Sequence, residues 1–174
     1  MRVISGKYKG KNLKGFDIDG TRPTMDRVKE SLFGTIQNYI PNSICLDLFA
    51  GSGSLGIEAL SNGAKKCYFN DNNKEMYKIL MDNLKDIEGA IISNKDYINY
   101  LNEMNEKFDI IFLDPPYKMN LISKSLEIIQ NRNLINKDGL IICEYETENI
   151  KCDLKILKEK KYGSKKIIIY KNEF

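Results

Sequence analysis

Two consecutive prolines placed directly after an apolar run constrain this chain more than any other feature. The run is Phe108-Asp109-Ile110-Ile111-Phe112-Leu113, and Asp114-Pro115-Pro116-Tyr117 follows it. A strand that meets this tetrapeptide must stop, because prolines carry no backbone N–H and hold φ at about −65°. What remains is a rigid corner presenting a carboxylate, a free backbone carbonyl and an aromatic ring at a strand's C-terminal end. In open α/β sheets, ligands sit along that edge. Two acceptors beside a flat ring suit the exocyclic NH2 of a stacked planar base. Taken alone, the tetrapeptide fits a tight turn equally well.

Upstream lies Ile44-Cys45-Leu46-Asp47-Leu48-Phe49-Ala50-Gly51-Ser52-Gly53-Ser54-Leu55-Gly56-Ile57-Glu58-Ala59-Leu60, an apolar strand leading through Gly-x-Gly-x-x-Gly into a periodic helix. Gly51 and Gly53 permit positive φ and a close approach of ligand to backbone, and Gly56 allows tight packing of helix on strand. The glycine pattern is shared with dinucleotide-binding folds, but two details point elsewhere. Asp47 would repel a pyrophosphate yet accept a hydrogen bond from an ammonium group, and the loop holds no Lys or Arg. A cationic, amino-acid-like ligand such as S-adenosylmethionine fits better, with Asp47, Phe49, Gly51, Ser52 and Gly53 as its expected contacts.

Acids recur at later strand ends. Lys66-Cys67-Tyr68-Phe69-Asn70 ends at Asp71, 20 residues after Gly51, a spacing suited to ribose hydroxyls. Ala90-Ile91-Ile92-Ser93-Asn94 is followed by Lys95-Asp96, and Asp96 could accept from an adenine amine with Tyr97 available for packing. Either acid could instead be a helix N-cap. The spacing predicts strands over 43–48, 66–70, 90–93, 108–113 and 139–145, with helices over 54–62, 73–86, 96–104 and 119–131. A helix capped by Thr24 and running to about Tyr39 precedes them, with Val28, Leu32, Phe33 and Ile36 on one face. Segments 153–158 and 165–170 read as a closing antiparallel pair. Strands alternating with helices imply an α/β, doubly wound, mostly parallel sheet.

These residues resemble the bacterial methyltransferases that modify N2 of a guanine in small-subunit (16S) ribosomal RNA. The likeness spans nearly the whole chain: the stretch from Arg2 to Leu13, Arg22-Pro23-Thr24-Met25-Asp26-Arg27-Val28-Lys29-Glu30-Ser31-Leu32-Phe33, Leu46 to Gly53, Glu58-Ala59-Leu60-Ser61, Asn83-Leu84 and the Asp114–Tyr117 corner. The resemblance implies a seven-stranded class I methyltransferase sheet with one antiparallel strand and an N-terminal hairpin arm. It implies S-adenosylmethionine as methyl donor and no metal. The partner would be 16S ribosomal RNA, free or within an assembling or assembled small subunit. Asp114, Pro115, Pro116 and Tyr117 would form the catalytic corner. Asp114 and the Pro115 carbonyl would accept the two N–H bonds of the amine, and Tyr117 would stack on the base. One departure concerns the ribose: the family usually has Glu where this chain has Asn70 and Asp where it has Asn72. Either Asp71 takes the hydroxyls or Asn70 makes a weaker, neutral contact.

Charge is uneven along the chain. Residues 1–30 carry eight Lys/Arg and four acids, residues 31–150 eleven and seventeen, and residues 151–174 eight and three. Five bases and no acid precede Asp17. Residues 1–20 therefore read as a basic arm before one domain at 21–174, and Lys7, Lys9, Lys11, Lys14, Arg22 and Arg27 are expected toward RNA phosphates. A solvated lysine face accounts for the arm too, and Arg22 equally fits a clasp between arm and sheet. With no histidine, His-based catalysis and His-containing metal sites are excluded. The four cysteines are scattered, as small core residues of a reducing cytoplasm would be. Neither a leader nor a membrane span is visible, and a monomer is expected. Rival readings are an adenine-N6 or cytosine-N4 methyltransferase (for which 174 residues leave no target-recognition domain), a protein-glutamine methyltransferase with Asn expected at 114, and a non-catalytic RNA-binding module.

Overall fold

The computed structural model describes residues 1–15, 22–116 and 119–174, and for residues 22–24 the backbone alone. The strands are β1 (Ile44–Asp47), β2 (Lys66–Asn70), β3 (Ala90–Ser93), β4 (Phe108–Leu113), β5 (Ile135–Tyr145), β6 (Lys155–Tyr162) and β7 (Lys165–Lys171). The helices are α1 (Arg22–Ile36), α2 (Ser54–Ser61), α3 (Lys74–Asn83), α4 (Tyr97–Glu103) and α5 (Ile122–Asn131). One seven-stranded sheet runs β3-β2-β1-β4-β5-β7-β6. The first five of these pair in parallel, and β7 lies antiparallel between β5 and β6. This is the doubly wound sheet that the alternating pattern implied. Chain order reverses between β1 and β4, and that switch point opens a crevice at their C-terminal ends.

Apolar residues cover both faces of the sheet. Cys45, Ile110, Phe112, Leu140, Ile142, Ile167 and Ile169 pack with Leu32, Phe33 and Ile36 of α1 and Ile57 of α2. Leu46, Ile111, Leu113, Ile141, Ile168 and Tyr170 face Leu101 of α4 and Leu126 and Ile129 of α5. Phe33 stacks on Phe112 with ring centroids 5.9 Å apart. Cys45, Cys67 and Cys143 are free and buried. Among the described residues, no helix is long and apolar enough to cross a membrane.

Several boundaries differ from the sequence reading: β6 spans Lys155–Tyr162 rather than 153–158, α3 ends at Asn83 rather than 86, and three further shifts have a visible cause. Helix α1 starts at Arg22, so Thr24 lies inside it rather than capping it; Pro23 is tolerated because first-turn N–H groups have no intrahelical partner. Strand β5 begins at Ile135 instead of 139, since Asp138 adopts φ 65° and the strand passes through this irregularity. The Asp138 N–H donates to Asn172 O and the Asn172 N–H to Gly139 O, which ties the bend to the end of β7. Helix α5 starts at Ile122, not 119, where the Glu148 carboxylate accepts from the N–H groups of Ile122 and Ser123.

The N-terminal arm is a hairpin packed into the core. The Val3 N–H donates to Lys11 O, the Gly10 N–H to Val3 O and the Leu13 N–H to Met1 O, and the Val3 and Leu13 side chains are buried. Gly6 has φ 84°, and a Cβ there would sit 2.0 Å from the Ser61 carbonyl oxygen. The arm is locked by a buried ion pair. Lys29 Nζ lies 3.1 Å from Glu58 Oε1 and donates to Arg2 O and Ser54 Oγ. The Glu58 carboxylate also accepts from the N–H groups of Ile4 and Ser5. Buried charges are tolerable only when their remaining donors and acceptors are met, as they are here. Burial pulls the Lys29 ammonium below the ordinary lysine range, and Glu58 opposes that pull. The clasp between arm and sheet is thus Lys29–Glu58, while the Arg22 side chain and the arm boundary at residue 20 lie outside the described residues.

Candidate active site

Asp47 ends β1, and its neighbour in register on β4 is Phe112. Asp114 stands two residues beyond Phe112, so the two carboxylates occupy adjacent strand tips. Side chains two residues apart share a face. Asp47, Asp114, Glu144 on β5 and Lys165 on β7 therefore form a row along one face of the sheet's C-terminal edge. Lys165 pairs with Glu144 at 3.2 Å.

Asp47 is buried, and its Oδ2 accepts the Gly56 N–H at 3.0 Å. Burial raises its pKa to about 7; the Gly56 bond opposes the rise and Asp71 adds to it. A carboxylate held this way favours a cationic partner. Burial also raises Asp114 well above the usual carboxylate range, reinforced by Glu144 and Asp47 and opposed by Lys165. Its carboxylate accepts no hydrogen bond among the described residues, although a neighbour such as Asp47 has one. Pro115 is buried, Pro116 is exposed, and both line a groove with Asn120, Glu144, Tyr145 and Glu146. Tyr117 lies outside the described residues.

The glycine loop is braced on three sides. Gly51 and Gly53 take φ 54° and 84°, and Gly53 caps α2. Gly56 carries α2 against β2, where a Cβ would lie 2.3 Å from the Phe69 ring and 2.8 Å from Cys67 Sγ. Asp71 accepts the Gly51 N–H at 2.8 Å and the Asn73 N–H at 2.9 Å. Asn73, not Asp71, caps α3. Asn83, quoted in the sequence only for its likeness to the family, donates to Ser52 O and Lys14 O and accepts from the Lys14 N–H, joining arm to loop.

Asn70 is buried and hydrogen-bonded at both ends of its amide: the nitrogen donates to Lys95 O, and the oxygen accepts from Ser93 Oγ and the Lys95 N–H. It holds the tips of β2 and β3 together. Asp71 is half-buried beside Gly51 and keeps acceptor capacity on both oxygens, since a carboxylate offers about four lone-pair sites. Asp96 caps α4 through Oδ1 alone, so the capping alternative is the one the fold displays. Next to it, Tyr97 packs on Phe49 with centroids 5.4 Å apart. The acids at the ends of β1, β2 and β4, the acid after β3 and the Phe49–Tyr97 pair thus gather along one edge.

The arm lysines are placed differently. Lys7 pairs with Glu88, and Lys11 donates to Lys85 O. The Lys7 N–H donates to Ser61 O at the end of α2, and the Tyr8 hydroxyl accepts from the Glu88 N–H. Glu88 directly precedes Gly89, whose carbonyl bonds Cys67 near the start of β2. The tip of the arm, with Lys7 and Lys9, therefore sits at the N-terminal edge of the sheet, opposite the Asp114 corner. Lys14 lies beside the glycine loop, paired with Asp82, and Arg27 is exposed on α1. Among the described residues, no group of three or more Cys, Asp or Glu side chains is placed to hold a metal ion.

This sheet order, with the glycine loop after β1 and an acceptor corner after β4, defines a class I methyltransferase-type α/β fold. Comparison with known proteins sharpens the class. A family model described as "Conserved hypothetical protein 95" matches residues 1–171. Ribosomal RNA small subunit methyltransferase D of Haemophilus influenzae is 37% identical over 181 residues, covering 99% of this chain and 94% of that protein. The chain belongs to this family. The solved structure of yhhF from Escherichia coli, a proposed methyltransferase, superposes with a TM-score of 0.88 at 31% identity, covering 99% and 98% of the two chains. SMU.776, solved in complex with SAH, shares the fold at a TM-score of 0.62 and 17% identity, over 80% of this chain and 49% of its own.

Proposed function

We propose that this chain transfers the methyl group of S-adenosylmethionine to the exocyclic N2 amine of a guanine in 16S ribosomal RNA. The observation that carries the reading is the juxtaposition of Asp47 and Asp114 on adjacent strand tips at the switch point. One acid is suited to an ammonium group, and the other is rigidly presented to an amine. The small-subunit ribosomal RNA named for the Haemophilus influenzae relative supports the substrate class.

Residues present here fit the donor. Asp47 takes its ammonium group, the backbone of Phe49, Gly51, Ser52 and Gly53 lies along its methionine part, and Asp71 takes the ribose hydroxyls in place of Asn70. The free Oδ2 of Asp96 takes the adenine amine, and Phe49 with Tyr97 offers a ring surface. When bound, the sulfonium supplies an electrophilic methyl carbon.

An arylamine nitrogen delocalises its lone pair into the base and must pyramidalise before it attacks. Asp114 and the Pro115 carbonyl accept its two N–H bonds and aim the lone pair, a positioning effect of large kinetic value. As the N–C bond forms and the C–S bond breaks, releasing S-adenosylhomocysteine, the nitrogen turns acidic, so Asp114 need not be a strong base and its ionised form is placed to take the departing proton. Pro116 stiffens the corner, and Tyr117 stacks on the base. The groove wall of Glu144 and Glu146 is acceptor-rich. Guanine places an N1–H donor beside its amine where adenine and cytosine place a lone pair, which favours guanine over the other amino bases. A pocket for one base cannot choose among many guanines, so the shape of the assembled particle supplies site choice.

Mass spectrometry of 16S ribosomal RNA from cells with and without the gene tests this reading. One N2-methylguanosine should vanish and return with the wild-type gene. An unchanged nucleoside profile would overturn it.

A further inference from the structure

The tip of the basic arm and the β6–β7 turn lie at opposite edges of the sheet, and only the turn is near the Asp114 corner. The tip of the N-terminal arm is roughly 16 Å from the catalytic edge, the length of a five-residue strand such as β2. The turn joining β6 to β7 lies at the catalytic edge itself. Leu113 is in register with Cys143, and Tyr145 with Lys166. Lys166 therefore stands two strands, about 10 Å, from the Asp114 corner, on the sheet face of Tyr145 and opposite that of the Asp114 carboxylate.

Lys161 and Lys166 are direct cross-strand partners at this turn. Like charges placed opposite one another destabilise a sheet. The same sheet contains a second such pair, Lys155 and Lys171, and there each cation has its own acid, Glu173 and Asp138. Lys161 and Lys166 have no ion-pair partner among the described residues; Lys166 lies over the Tyr145 ring, and Lys161 is exposed. Lysines on an edge strand can serve only to block edge pairing. That accounts for Lys161 on β6 but not for Lys166, which lies on the interior strand β7.

We infer that the β6–β7 turn is a phosphate-binding surface that holds the RNA backbone while the Asp114 corner engages the base, with Lys161 and Lys166 as its contacts. The inference rests on the proposed RNA substrate. It assigns the backbone grip to the C-terminal hairpin rather than to the tip of the arm.

The test compares the wild type with Lys161→Ala/Lys166→Ala and with Lys7→Ala/Lys9→Ala/Lys11→Ala. Small-subunit particles from cells lacking the gene, and the deproteinised RNA from them, serve as probes between 50 and 200 mM KCl. Each lost phosphate contact lowers the slope of log affinity against log salt by about 0.7–0.9. The hairpin variant should thus lose roughly 1.4–1.8 in slope and about 25-fold or more in affinity at 0.1 M salt. Its S-adenosylmethionine affinity, read by calorimetry, should be unchanged, and the arm variant should shift far less. An unaltered slope in the hairpin variant, with the wild type still binding and methylating, overturns the inference and leaves the proposed function standing. A wild type that neither binds nor methylates either probe removes both.

Discussion

Cofactor binding should be strongly pH-dependent and should release a proton, because the expected partner of the ammonium group is a carboxyl that burial raises to about 7. Only the ionised form attracts the ligand's ammonium. Below pH 7 the apparent affinity should fall about tenfold per unit, which amounts to roughly 90-fold between pH 8 and pH 5, or about 2.7 kcal/mol. Above about pH 8 the ligand's own α-amine deprotonates, so affinity should peak between pH 7 and 8. Calorimetry in buffers of different ionisation enthalpy should show release of about half a proton at pH 7, rising toward one at pH 6. Asp47→Asn should flatten this profile and weaken binding by roughly ten- to a hundredfold, the value of a charge-assisted hydrogen bond.

Stability should move the other way. A carboxyl whose folded pKa is raised stabilises the fold at low pH, and that contribution is lost as pH rises through the folded value. For Asp47 the loss is about 4 kcal/mol between pH 4 and pH 8. Asp114 is shifted in the same direction, so the wild-type trend belongs to both acids. Unliganded Asp47→Asn should accordingly be more stable than the wild type at pH 8 while binding the cofactor worse. A pH-independent affinity between 5 and 7.5, or an Asn variant that binds normally, would refute this role for Asp47.

Two further outcomes follow from the same geometry. Asp114→Ala should abolish methyl transfer and leave S-adenosylmethionine affinity within about twofold; a large loss of affinity would move Asp114 into the cofactor site. Lys29→Met leaves Glu58 buried without its cation, a change that typically costs 3–5 kcal/mol. A chain of this size loses about 2–4 °C of Tm per kcal/mol, so thermal denaturation should begin about 6–20 °C earlier. A shift under 2 °C would show that the arm is not locked by this pair.

The elements were legible because apolar period and punctuation agree. Apolar β1 runs into Gly51 and Gly53 and β4 into two prolines; β4 ends at the predicted Leu113, and β1 ends at Asp47, one residue before the predicted 48. The acids at those ends were legible for the same reason, since a strand's last residue marks the edge where ligands sit. What stayed hidden depends on contacts between distant segments. Nothing near Lys29 announces Glu58, 29 residues away, as its buried partner. Glu148 caps α5 from 26 residues downstream, so the start of that helix could not be read locally. The basic arm is visible in composition, but composition cannot say which edge of the sheet its tip reaches. Asn70 was legible only as a departure from the family; its hydrogen bonds to Lys95 and Ser93, which hold the tips of β2 and β3 together, could not be read locally.

The most direct test is a crystal structure of the protein with S-adenosylmethionine or its demethylated product and a guanine nucleotide. It should show the donor's ammonium on Asp47 and its sulfur facing the Asp114 corner. The base amine should bridge Asp114 and the Pro115 carbonyl, with the methyl carbon about 3–3.5 Å from the nitrogen. A donor seated with its sulfur turned away from that corner, or a base held elsewhere on the edge, would contradict the account.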